Sequence, residues 1–108
     1  MKEIKAYIKA FKREAVTSAL HEIEGLQGAS FSNVLGFGRG KANSSGCSPH
    51  GEITSSSRYV KIEVVCEDAL EAQVAAVIHR AAHTGLRGDG RIFVSDVEYG
   101  VRIQDVPE

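Results

Sequence analysis

Two stretches of the chain alternate apolar and polar side chains, which is the period of a half-buried β-strand. The first runs from Lys2 to Phe11 and the second from Arg58 to Cys66. The side chains that these strands turn towards a common core are Ile4, Ala6, Ile8, Ala10, Val60, Ile62, Val64 and Cys66. The opposite face carries Tyr7, Tyr59 and long charged side chains, and a sheet with helices on one face leaves such a face to be covered.

Each of these strands is followed by apolar residues at helical spacing. The first predicted helix has the stripe Val16, Ala19, Leu20 and Ile23, and it ends at Gly25 and Gly28. In the second, Asp68 is a candidate N-terminal cap. The apolar stripe of this second helix is Leu70, Val74, Val77, Ile78 and Ala81.

The remaining strands are shorter. Ser30 to Phe37 predicts one, and Arg91 to Val97 and Tyr99 to Gln104 predict two more. Residues 38–57 are rich in glycine and serine with almost no large apolar side chain, which is typical of a long exposed loop.

The predicted order is therefore βαβ, a long loop, and βαβ again, with an additional strand at the end. This order is typical of a ferredoxin-like α+β sandwich of the split βαβ kind. We expect one domain over residues 1–108, with self-association as a dimer or trimer to cover the open face of the sheet.

The amino-acid composition narrows the range of functions that this chain could have. The 108 residues are 43% hydrophobic and 25% charged, which is ordinary for a globular protein. Thirteen basic and fourteen acidic residues give a net charge of −1, so the chain has no general attraction for nucleic acid or anionic lipid. The RNA-recognition fold shares the strand order, but Gly36-Phe37-Gly38 is not followed by the rest of its signature.

The two cysteines do not form the pattern of a disulfide framework, and we find no signal peptide at the N-terminus. The longest charge-free apolar stretch, Ala72 to Ile78, is too short to cross a bilayer. We therefore expect a cytoplasmic protein that is not inserted in a membrane.

The first candidate for chemistry is the run from Thr84 to Arg91, with three glycines in six residues. Such a run allows positive φ and close approach of a ligand, and its N–H groups can form an anion site. Arg87 and Arg91 could add charge-assisted bonds to phosphate. On pattern alone, a helix-to-strand connector is the favoured interpretation.

Three weaker candidates remain. Gly36 to Lys41 is glycine-rich and basic but matches neither a Walker loop nor a dinucleotide fingerprint. Cys47 and His50 could share a soft metal ion, although ordinary loop residues are the favoured interpretation. His79 and His83 lie one helical turn apart, where a solvated helix face is favoured. The sequence has no recognisable nucleophile motif or carboxylate pair, so we expect no enzyme and no catalytic cofactor.

With this order of elements and both glycine-rich segments established, the chain resembles the PII signal-transduction family, in a divergent PII-like branch, from Lys2 to about Gln104. The matching motifs are Ile8-Lys9-Ala10-Phe11-Lys12, Val34-Leu35-Gly36-Phe37-Gly38-Arg39, Val60-Lys61-Ile62-Glu63-Val64-Val65 and Thr84-Gly85-Leu86-Arg87-Gly88-Asp89-Gly90-Arg91-Ile92-Phe93-Val94. The last is the most specific, and it raises the phosphate interpretation above the connector interpretation.

The resemblance implies a homotrimer that binds ATP, ADP or AMP as an effector in clefts between subunits. It also implies a flexible T-loop, here residues 38–57, that docks on a target protein such as a membrane transporter or an enzyme. The positions that match nucleotide contacts are Gly28, Ser30, Gly36, Gly38, Arg39, Val65, Gly88, Asp89, Gly90 and Arg91, with Arg102 reaching in from the next subunit.

Departures from the family pattern concern the anion end of that cleft. Gly40 replaces a glutamine that helps to hold magnesium and 2-oxoglutarate, and Tyr59 replaces a lysine that meets 2-oxoglutarate. Arg91 and Gln104 replace a lysine and an arginine, and residues 38–57 contain no tyrosine to be nucleotidylated. We therefore expect a preference for ADP or AMP over ATP, and a signal other than 2-oxoglutarate.

Three alternatives stay open from the sequence. One is a metal-responsive relative that uses Cys47 and His50 in association with metal transport. Another is a sensor of bicarbonate or a similar small anion, for which no residue is decisive. The third is an assembly module that binds no ligand.

Overall fold

A computed structural model describes residues 1–36 and 57–106 of the chain. Its strands are β1 (Lys2–Lys9), β2 (Ser30–Gly36), β3 (Ser57–Cys66) and β4 (Gly90–Asp96). Its helices are α1 (Arg13–His21) and α2 (Glu71–Ala82), preceded by the short 3₁₀ turns Ala10–Lys12 and Asp68–Leu70.

The four strands form one antiparallel sheet in the order β2-β3-β1-β4. The two alternating strands predicted from the sequence, β1 and β3, are the central pair, with Ala6 opposite Ile62. This order, with both helices packed on one face, confirms the ferredoxin-like α+β fold.

The core lies between the sheet and the two helices. Side chains that are no more than 1% exposed alternate along β1 and β3 and recur at helical spacing, as the periodicity predicts. They are Ile4, Ala6, Ile8, Val16, Val60, Ile62, Val64, Val74 and Ile78. Leu70, Val77 and Ala81 of the predicted α2 stripe pack at the edge of this core, partly buried.

The prediction that Asp68 caps α2 was wrong. The residue before the 3₁₀ turn is Glu67, the residue before the helix is Leu70, and neither makes a side-chain capping bond. The Asp68 carboxylate instead accepts a hydrogen bond of 2.7 Å from the α-amino group of Met1. A full positive charge nearby attracts the carboxylate more strongly than a backbone N–H does.

The prediction of a strand from Tyr99 to Gln104 was also wrong. This segment is irregular. It ends in a turn that is closed by a hydrogen bond from the Asp105 N–H to the Arg102 carbonyl. A strand needs a neighbouring backbone to complete its ladder, and the segment does not pair with β4, the edge strand. Its apolar side chains consequently lie open, with Tyr99 77% and Ile103 100% exposed.

Candidate functional site

The glycine-rich run joins the end of α2 to the start of β4 at one end of the sheet. His83 leaves the helix with extended dihedral angles, and its N–H still bonds to the carbonyl of His79. Gly85, Gly88 and Gly90 then have φ of +84°, +81° and +110°. Residues with a side chain rarely adopt positive φ, so the turn requires the glycines that the sequence has at these positions. We call residues 84–91 the glycine turn.

Asp89 holds the glycine turn in shape from within. Its carboxylate accepts hydrogen bonds from the N–H groups of Thr84 and Gly85, at 2.8 and 2.9 Å, and from the Thr84 hydroxyl. The ammonium of Lys9, at the end of β1, lies 3.3 Å from the same carboxylate. The turn is thereby fastened both to itself and to the central strand.

These contacts decide the charge of Asp89. Burial, with the side chain 23% exposed, raises the pKa of the carboxyl, but the hydrogen bonds from Thr84, Gly85 and Lys9 outweigh it. The net result is a pKa well below the usual range of an aspartate. Asp89 is therefore ionised at physiological pH, and that negative charge is already matched by donors of the turn.

Gly90 is the point where the turn meets the sheet. A Cβ built on it would overlap the carbonyl oxygen of Tyr7 and would lie 2.8 Å from the Tyr7 carbonyl carbon. Because backbone atoms of the central strand cannot move aside cheaply, only glycine allows β4 to begin here. The close approach of β4 to β1, rather than a ligand, explains why this position is glycine.

Tyr59 ties the turn to β3. Its phenol donates a hydrogen bond of 2.8 Å to the carbonyl of Gly88, and the side chain is only 8% exposed. On the same face, the rings of Tyr7 and Phe93 meet edge to face, with centroids 6.4 Å apart. At the end that carries the glycine turn, the face predicted to be open therefore holds one buried tyrosine, Tyr59, and an aromatic pair in which Phe93 stays 51% exposed.

A cavity of about 450 Å³ opens on this face. It joins the last residue of β2 to the start of β4. Its lining residues are Tyr7, Val34, Leu35, Gly36, Tyr59, Gly90, Arg91 and Phe93. The structure thus brings together three of the predicted nucleotide contacts, Gly36, Gly90 and Arg91.

Other predicted contacts lie elsewhere in the single chain. Gly28 lines a separate cavity between α1 and β2, and Ser30 begins β2 opposite Glu63. Val65 is half exposed on β3, and Arg102 pairs with Asp105 at 3.0 Å in the exposed C-terminal segment. Gly38, Arg39, Cys47 and His50 lie outside the described residues.

Metal-ligating side chains are sparse in the described parts of the chain. Across residues 1–36 and 57–106, no group of three or more His, Cys, Asp or Glu residues is placed to hold a metal ion. Cys66 is a buried thiol whose pKa is raised, first by burial and then by the neighbouring carboxylates Glu71, Asp68 and Glu67. A buried thiol of this kind packs as a small apolar side chain.

Sequence reasoning missed the two residues that fasten the turn. The alternation places Lys9 and Tyr59 on the open face, and nothing in their spacing indicates a contact with the glycine turn. Lys9 nevertheless bonds to Thr84, which is 75 positions away, and Tyr59 bonds to Gly88, which is 29 positions away. Register between β1, β3 and β4 is what brings them to the turn.

The fold and site define a small α+β protein with a cavity of ligand size beside the glycine turn. A family model described as nitrogen regulatory protein P-II matches residues 1–106, and the chain belongs to that family of signalling regulators. Proteins named nitrogen regulatory protein P-II from Azospirillum brasilense and Rhodospirillum rubrum are each 44% identical to it, and one from Mesorhizobium japonicum is 45% identical. Each comparison covers 96% of this chain and 92% of the relative.

Within the described parts of the chain, no helix is long and apolar enough to cross a membrane.

Proposed function

We propose that this protein is a cytoplasmic P-II regulator that binds an adenine nucleotide where the glycine turn meets a neighbouring subunit of a homotrimer. Through residues 38–57 it would control a target protein, with a membrane transporter or an enzyme as the target class. It acts by binding and carries out no reaction of its own.

This proposal rests on the difference between the hydrogen-bond and ion-pair partners of Asp89 and those of Arg91. Asp89 is fully engaged with donors of its own turn, so the turn keeps its shape before any ligand arrives. Arg91 lines the cavity and makes no ion pair within residues 1–36 and 57–106. A guanidinium left available beside a preformed turn is suited to the oxygens of a phosphate chain.

The cavity walls support the adenylate part of this proposal. Its volume lies within the range of about 300–1,000 Å³ that is usual for small-molecule sites. Tyr7, Phe93 and Val34 give it an apolar side on which a base or ribose could pack. Arg91 stands at its polar side, so one ligand with an aromatic and an anionic end would use both.

Exposed apolar side chains favour the trimer. Leu35, Phe93, Tyr99, Val101 and Ile103 are all more than half exposed in the single chain. Side chains of this size and number are commonly covered by an interface. In the proposed trimer, Arg102 would add its charge to the site of the next subunit, and Gly28, Ser30 and Val65 would complete the cleft.

Tyr59 bears on which effectors are recognised. Its phenol donates a hydrogen bond to the Gly88 carbonyl, and a phenol offers no positive charge to a dicarboxylate. We infer a preference for ADP or AMP over ATP and a second signal other than 2-oxoglutarate. The metal-responsive and small-anion alternatives stay predictions, because Cys47 and His50 lie outside the described residues.

Isothermal titration calorimetry with ATP, ADP and AMP tests the nucleotide site. We expect binding of ADP or AMP at least as tight as that of ATP, and an Arg91→Gln variant that weakens it at least about tenfold, the effect of one lost charge-assisted bond. Arg13→Gln, an exposed arginine on α1, is the matched control. Absence of heat with all three nucleotides at millimolar concentration would overturn the site.

The assembly is tested separately by the mass of the native protein in solution. A trimer is expected at micromolar concentration, and a monomer would contradict the intersubunit cleft. A trimer that binds no nucleotide would instead support the assembly module.

A further inference from the structure

Two histidines face each other at the C-terminal end of α2. His79 lies in the last turn of the helix and His83 directly follows it, with ring centroids 5.7 Å apart and ring planes inclined at 47°. Because a zinc–nitrogen bond is about 2.0–2.1 Å long, two imidazoles on one ion have centres about 5–6 Å apart. The ring centroids therefore lie at a distance that two ligands of a single metal ion can have.

The ring nitrogens of this pair are available. Both side chains are exposed, and within the parts of the chain that the structure describes neither ring makes a hydrogen bond. Their nitrogens are therefore not committed to a partner in the described residues and are open to a metal ion.

The surroundings favour a cation. The last carbonyls of a helix carry partial negative charge, and both histidines lie at that end. They line a cavity of about 340 Å³ together with Asp89, Gly90 and Arg91. The Asp89 carboxylate is already matched by Lys9 and by donors of the turn, and the Arg91 guanidinium opposes a cation, so the helix end supplies the favourable charge. The open volume leaves room for water on the remaining coordination positions.

We propose that His79 and His83 form a two-imidazole site for a divalent transition-metal ion, of the class of Ni²⁺, Cu²⁺ and Zn²⁺. Imidazole suits these ions, whereas Mg²⁺ and Ca²⁺ prefer oxygen ligands. The site is independent of Cys47 and His50, and it does not require the proposed nucleotide. Its position places a metal ion in the cavity beneath the glycine turn.

Metal titration of tag-free protein tests this site. The starting protein carries Cys47→Ser and His50→Ala, which removes donors outside the described residues, and it is titrated with Ni²⁺ and Zn²⁺ by calorimetry. We expect one ion per chain and no binding of Mg²⁺. His79→Gln and His83→Gln should each weaken binding at least about tenfold, since even outer-shell changes cost about 10–100-fold.

His21→Gln is the matched control, because His21 is an exposed histidine at the end of α1, away from this cavity. It should leave the affinity within about twofold, well below the cost of losing a ligand. Failure of the starting protein to bind Ni²⁺ or Zn²⁺, or an equal loss in His21→Gln, would overturn the proposal.

A spectroscopic measurement keeps the test independent of variant stability. Electron paramagnetic resonance of the Cu²⁺-loaded starting protein should show coupling to two imidazole nitrogens, and to one in either His79→Gln or His83→Gln. Coupling to fewer than two nitrogens in the starting protein contradicts the site.

Discussion

The phenol of Tyr59 donates a hydrogen bond of 2.8 Å to the carbonyl oxygen of Gly88. This bond joins the central strand β3 to the glycine turn, two segments separated by 29 residues. A carbonyl in a turn of positive-φ glycines would otherwise depend on water for its partner. The position at which the family resemblance implies a lysine is therefore used in this chain to hold the turn.

Removing that hydroxyl should loosen the turn without emptying the core. We expect Tyr59→Phe to lower the free energy of unfolding by about 0.5–1.5 kcal/mol, the usual net value of one hydrogen bond. Chemical denaturation measures it. Tyr99→Phe removes the same hydroxyl from a side chain that is 77% exposed and should change stability by less than about 0.5 kcal/mol. Equal losses in the two variants would contradict a specific role for the Tyr59 bond.

Asp89 should stabilise the fold through its charge. Asp89→Asn keeps the shape but loses the ion pair with Lys9 and weakens the bonds from Thr84 and Gly85. We expect a loss of about 1.5–3 kcal/mol near pH 7, the usual value for hydrogen bonds to a charged group. Asp105→Asn, which removes an exposed pair with Arg102, should cost less than about 1 kcal/mol.

The effect of Asp89 should also depend on pH. Because its pKa is lower in the folded chain than in the unfolded one, its stabilisation is complete above the unfolded pKa of about 3.9 and is lost as the pH falls towards the folded pKa. The stability difference between the protein and Asp89→Asn should therefore be constant from pH 7 to about 5 and shrink below about 4. A difference that stays constant down to pH 2 would show that the charge is not responsible.

A side chain at Gly90 should disrupt the start of β4. Gly90→Ala places a methyl group against the Tyr7 carbonyl at a φ of +110°, and we expect a loss of more than about 2 kcal/mol from strain and overlap together. Gly28→Ala is the control, because a Cβ there meets no atom within 4 Å. Thermal unfolding in the absence of nucleotide compares the stability of the two variants. A Gly90→Ala protein as stable as Gly28→Ala would contradict the close approach of β4 to β1.

The Cys66 thiol should be protected in the native protein. It is buried and its pKa is raised, so little of the reactive thiolate forms or reaches solvent. In a Cys47→Ser protein, where Cys66 is the one remaining thiol, alkylation at pH 8 should be slow and should become fast in denaturant. Counting labelled protein by mass spectrometry measures it, and rapid labelling of the native protein would contradict burial.

Periodicity predicted the parts of the fold that depend on burial. The alternation in β1 and β3 recurs as buried residues, as do Val74 and Ile78 of the predicted α2 stripe, because one face of each element must leave water. Glycine content likewise predicted a turn with positive φ between α2 and β4. These features are local, so the order of residues along the chain is sufficient to indicate them.

The predictions that failed depended on distant partners. Asp68 has the side chain of a helix cap, but the α-amino group of Met1 competes for it. Tyr99 to Gln104 has an alternating pattern, but it does not pair with the edge strand β4 or with any other strand of the sheet. The local sequence pattern indicates which secondary structure a residue favours. A distant group that competes for the same hydrogen bonds comes close only when the chain folds.

By itself, then, the sequence determined the four strands and two helices of the described residues, most of their buried faces and the family resemblance, since each follows from side-chain type and spacing. Only the tertiary structure decided that Lys9 and Tyr59 fasten the glycine turn, and that His79 and His83 share a cavity with Arg91. The physical reason is strand register. Antiparallel pairing of β1 with both β3 and β4 sets residues many positions apart at hydrogen-bonding distance.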